Sequence, residues 1–109
     1  MTKIEIYKNK NSIYKVICDG HTGYGVEGED IVCAALSSIV QTAVLGILQI
    51  AVINAEYFVD EKKGRLELVI PNDISSAKRH DADVILNTML CGIKDLNESY
   101  SDFVELEVN

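Results

Sequence analysis

The chain has 109 residues, 48% of them hydrophobic, and carries 17 acidic side chains against 10 basic ones for a net charge of −7. That length fits one domain spanning residues 1–109, and the apolar fraction excludes a disordered chain. The missing basic footprint excludes a binder of phosphate backbones, so nucleic acid is not expected as a partner.

The chain begins with Lys3-Ile4-Glu5-Ile6-Tyr7, which alternates with period two as a half-buried strand does. Asn9-Lys10-Asn11 is turn chemistry, and Ser12 to Cys18 returns to β-rich composition, so the two segments predict a hairpin. Glycines at positions 20, 23, 25 and 28 follow in quick succession. Glycine gives up the most backbone freedom in a helix or strand, so Gly20 to Gly28 reads as a mobile loop.

Asp30 then stands as a helix cap before an apolar run. From Ile31 to Ile53 no residue is charged, a length at which about 20 residues would span a bilayer. Ser37, Ser38, Gln41, Thr42 and Gln49 interrupt the run, and no basic residues flank it. These features favour a buried helix, with no membrane partner expected. At about 1.5 Å per residue such a helix is about 35 Å long. It is expected to lie on its own sheet and also to meet a second subunit, since a domain this small buries only about two-thirds of its surface.

Glu56 to Asp60 and Arg65 to Ile70 flank Glu61-Lys62-Lys63-Gly64 and predict a second hairpin, with Leu66, Leu68 and Ile70 on one face. Pro71-Asn72-Asp73 ends it. From about Ser75 to Asn97, Ala82, Ile85, Met89, Ile93 and Leu96 recur at helical spacing. A last strand turns Val104, Leu106 and Val108 inward. The order ββαββαβ predicts an α+β fold, two helices packed on a largely antiparallel sheet.

Cys18, Cys33 and Cys91 are odd in number and form no CxxC pair, so neither a zinc site nor a redox dithiol is indicated. No hydrophobic leader opens the chain, which places reduced thiols in a cytosol. Cys33, at the third helical position after an Asp30 cap, meets the positive end of the helix dipole, which favours thiolate. Free N–H groups at the same helix end, that of Cys33 among them, would hold an oxyanion. His21, in the glycine-bearing loop, has the proton affinity of a general base near neutrality. The bland alternative stands beside this: a cysteine opening an apolar helix is often a small hydrophobe, and a histidine between glycines is often merely solvated. Cys18 and Cys91 read as packing residues, and His80, beside Arg79 and Asp81, as part of a solvated helix face.

Gly20-His21, followed by Glu29-Asp30-Ile31-Val32-Cys33-Ala34-Ala35-Leu36-Ser37, closely resembles the signature of the bacterial ribosomal-processing cysteine protease family. The similarity extends over essentially the whole chain, with Thr22 standing where a smaller residue is expected. The resemblance implies His21 as general base and acid and Cys33 as nucleophile, with Gly20, Asp30 and Ser37 in supporting positions. It further implies removal of an N-terminal extension from a large-subunit ribosomal protein through a thioester, a homodimer built on the long helix, and no metal or organic cofactor. The rival reading is a non-catalytic dimeric module that binds a protein during ribosome assembly, in which Cys33 would be unreactive.

Overall fold

A computed structural model describes residues 2–20 and 29–109, with Glu29 and Asp30 defined by their backbone. The elements run β1 (Thr2–Asn9), β2 (Ser12–Gly20), α1 (Glu29–Leu45, continued by a π-helical turn at Gly46–Ile50), β3 (Glu56–Asp60), β4 (Arg65–Val69), α2 (Ser76–Ser99) and β5 (Val104–Val108). The order is the ββαββαβ of the sequence reading. The five strands form one sheet in the order β3-β4-β2-β1-β5. Every neighbouring pair is antiparallel except β1 and β5, which run parallel. A parallel pair needs a crossover, and α2 supplies it.

The strand register stacks the inward side chains into rows across the sheet. Leu106, Ile4, Cys18, Leu66 and Val59 form one row, and Val108, Ile6, Val16, Leu68 and Tyr57 the next. Between Tyr7 and Lys8 the register shifts. The bulge turns Ile13 into the core and leaves Tyr14 exposed, where strict alternation would do the reverse. On the opposite face Lys3–Glu107, Lys15–Glu67 and Arg65–Asp19 pair at 3.2–3.3 Å. Such exposed pairs are worth at most about 1 kcal/mol each. Their effect is to keep that face wet.

Both helices pack on the inward rows. Val32, Leu36, Val40, Val44 and Ile47 of α1 are buried, recurring every three or four residues. Ala82, Leu86, Met89, Leu90 and Ile93 line the matching face of α2, which is capped by the Ser75 hydroxyl accepting from the Lys78 N–H at 3.2 Å. Ile85 and Leu96 are only half-buried, and Leu86 and Leu90 take the central places instead. Cys91, expected as a packing residue, is exposed because it lies outside that buried arc. His80 is solvated, as expected.

The apolar helix departs from expectation at both ends. Glu29 and Asp30 both belong to the described helix, so Asp30 is a helical residue and not the cap. Carboxylates suit the first turn because the dipole there is positive. At the far end the Ala51 N–H bonds to the Gly46 carbonyl, five residues back, and the Ile53 N–H bonds to the Ile47 carbonyl. This is a Schellman-like stop widened by one residue. The reversal puts Val52 at φ 54°, left-handed backbone usually reserved for glycine. Lys78 Nζ donates to the Val52 carbonyl at 2.7 Å and helps hold the turn.

Candidate active site

Cys33 is the fifth residue of α1 and is 8% exposed. It lines a cavity of about 220 Å³ at one end of the sheet, where β1 begins, β2 ends and the β3–β4 hairpin turns. Side chains on a helix lean toward its N-terminus, so the sulfur sits over the first turn of α1. Cys33 lies four residues past Glu29 in the described helix, so its N–H belongs to the hydrogen-bonded ladder.

Ser37 follows Cys33 by one helical turn, is half-buried, and lines the same cavity. Gly20 lines it as the last residue of β2 rather than the first of a loop. It faces Thr2 across the β1–β2 ladder, and its N–H bonds to the Gly64 carbonyl at 3.0 Å. Gly64 has φ 66°, and a Cβ there would lie 1.9 Å from the Gly20 carbonyl oxygen, so both glycines permit a close backbone crossing at the cavity floor. His21 and the remainder of its glycine-bearing segment, residues 21–28, lie outside the described residues, and of Asp30 only the helical backbone is described.

The three cysteines are separated by their surroundings. Cys18 lines the cavity too, but burial pushes its thiol up to about 12, helped by the nearby Cys33 and by Asp19. It stays protonated at neutral pH and is a poor nucleophile. Cys91 is exposed on α2 and takes no part in the cavity lining. Cys33 alone of the three combines a cavity position with a helix start.

The sequence reading missed several lining residues. Thr2 is buried, and its hydroxyl has no hydrogen-bond partner among the described residues. Its parity with Ile4 and Ile6 places it inward, a signal that the first strand already carried. Gln41, Val59, Asp60 and Glu61 also line the cavity. Asp60 holds the hairpin turn by accepting from the N–H groups of Lys62 and Lys63 at 3.1 and 3.2 Å. Among the described residues no cluster of His, Cys, Asp and Glu has the grouping of a metal site.

Known proteins share both the sequence pattern and this fold. A family model described as cysteine protease Prp matches residues 1–105. The ribosomal processing cysteine protease Prp of Staphylococcus aureus is 27% identical over 107 residues, 97% of each chain. Its Bacillus subtilis namesake is 22% identical over 90 residues, 83% of this chain and 80% of its own. The crystal structure of the S. aureus Prp protease in complex with a substrate peptide superposes with a TM-score of 0.88, at 25% identity and full coverage of both chains. A Streptococcus mutans structure superposes with a TM-score of 0.85 at 26% identity, covering 99% of this chain and 93% of its own. With its α+β architecture matched end to end and a buried thiol opening the long helix, this chain belongs to the Prp family and is a cysteine-type peptidase.

Proposed function

We propose that the protein removes an N-terminal extension from a large-subunit ribosomal protein, using Cys33 as nucleophile and His21 as base and acid. The observation that carries this reading is the position of Cys33, lining a cavity near the N-terminal end of α1. The name of the S. aureus relative, a ribosomal processing protease, supports the substrate.

In this mechanism His21 takes the proton from Cys33 and the thiolate attacks the scissile carbonyl carbon. First-turn N–H groups stabilise the oxyanion that forms on the carbonyl oxygen. His21 returns its proton to the departing amine, the C–N bond breaks, and a thioester remains on Cys33. Water gives a proton to the same imidazole, hydrolyses the thioester and frees the thiol. Gly20 keeps the cavity floor open, and Ser37 and Asp30 flank the nucleophile one turn on and one turn back. No metal or organic cofactor enters these steps. The protein works in the cytosol as a homodimer, with exposed Leu45, Ile50 and Val84 of the helical layer at the subunit contact.

The test is incubation with an extended ribosomal protein, followed by mass spectrometry of the new N-terminus. One defined cut is expected, absent in Cys33→Ala and in His21→Ala. Cutting by Cys33→Ala at the wild-type rate would remove Cys33 from the role. An uncut precursor, with other peptides still cleaved, would remove the substrate.

A further inference from the structure

Cys33, Ser37 and Gln41 recur every four residues on α1 and therefore form one stripe along the helix. All three line the cavity together with Val59 of β3 and Leu66 of β4. The stripe faces the sheet edge that the helical layer leaves bare. Along the inward rows Leu66 and Leu68 of β4 are 7% and 1% exposed, whereas their direct neighbours Val59 and Tyr57 on β3 are 46% and 40% exposed. Helical cover thus stops at β4. Val59 on β3 and the polar helix stripe are therefore two walls of the nucleophile's own cavity, which runs as a groove along α1 from Cys33 to Gln41.

We propose that an extended substrate chain lies in this groove and is gripped by Gln41 and Val59 about three to four residues from the bond that is cut. The inference rests on Cys33 as nucleophile and adds to that reading the place where the substrate is held. The distance follows from helix geometry. Eight residues from Cys33 to Gln41 rise about 12 Å, which an extended peptide covers in about three to four residues. The chemistry fits an extended main chain. The Gln41 amide offers both donors and an acceptor, matching backbone C=O and N–H groups without regard to side-chain identity. Val59 offers an apolar surface to one alternate side chain. The occupant is the substrate itself, because the groove is continuous with the cavity that contains the nucleophile.

The experiment uses a peptide that the wild-type enzyme cleaves, recovered from a digest library and shortened one residue at a time from each end. For wild type, shortening one end past about the third residue from the scissile bond should lower kcat/KM about tenfold, the scale of one or two lost hydrogen bonds with their packing. In the double variant Gln41→Ala/Val59→Ala the same shortening should cost less than about twofold, because both contacts are already gone, and each single variant should show a loss between the two. Ser38→Ala, on the exposed side of α1, should show the full wild-type loss. Equal truncation losses in wild type, Gln41→Ala and Val59→Ala at every peptide length would overturn the proposal. Labelling of Cys33 by iodoacetamide, mapped by mass spectrometry, reports on the nucleophile separately. A failed groove and a misassigned nucleophile therefore give different results.

Discussion

The side chain of Thr2 fills the space that a Cβ on Gly20 would need, with Oγ1 2.5 Å and Cγ2 2.8 Å from that position. The two residues face each other at the start of β1 and the end of β2, on the floor of the cavity. Gly20→Ala should therefore destabilise the fold by about 1–3 kcal/mol, as overpacking does, and lower kcat/KM. Adding Thr2→Gly should return part of the stability although Thr2→Gly alone removes it. Urea denaturation of the four proteins gives the coupling energy directly. Simple additivity would show that the two side chains do not compete for the site.

Cys18 should make stability depend on pH in the alkaline range. Its thiol is pushed from 9.0 up to about 12, chiefly by burial, so the folded state holds the proton more tightly than the unfolded one. The stabilisation is fully present below about pH 9 and is lost as pH rises toward about 12, by up to about 1.4 kcal/mol per unit. Comparing denaturation midpoints at about pH 8 and about pH 10.5 should show a smaller drop in Cys18→Ala than in wild type. At neutral pH Cys18 should also resist iodoacetamide while exposed Cys91 reacts.

Val52→Gly should stabilise the protein. Left-handed backbone costs an L side chain about 1–2 kcal/mol, and glycine gives back about 0.5–1 kcal/mol in unfolded-state entropy. A net gain of about 0.5–1 kcal/mol is expected, read as a rise in Tm of a few degrees. Val52 is 62% exposed, so little packing is lost to offset it.

Leu45→Glu and Ile50→Glu should shift the proposed dimer toward monomer in sedimentation at micromolar concentration. Both side chains are more than half exposed, at 52% and 81%, on a helix that carries no charge from Ile31 onward. Burying a carboxylate in an apolar contact is costly, whereas a monomer would accept either substitution with little change.

The strand pattern was legible because most strands alternate and are bounded by turn residues. Lys3 to Tyr7 and Arg65 to Ile70 show this directly. Helix length was legible from the uncharged run, but its ends were not. An Asp suits a cap and a first turn alike, so Asp30 could not fix the start. At the other end nothing in the residues marks Val52 as a left-handed stop, because packing of Ile47 and Ile53 into the core overrides local preference. The Cys33–Ser37 pair was legible as a motif. The inward side of Thr2 was legible from strand parity, but its meeting with Gly64, Gln41 and Val59 was not, since the register of four strands and the placement of a helix bring them together. Local sequence carries no record of that register.

The site is built around the residue with which β1 begins. Thr2 lines the cavity and its N–H is held by the Phe103 carbonyl at 2.9 Å, whereas the N–H of Asn109 bonds to the Ile6 carbonyl near the opposite end of β1. A polypeptide fused ahead of Thr2 is thus attached at the nucleophile's cavity, within reach of its own catalytic cleft. An affinity tag placed there would act as a tethered competitor at high effective concentration, masking substrate binding or being clipped itself. The same tag placed after Asn109 would be attached opposite Tyr7, about 17 Å along the strand at about 3.3 Å per residue.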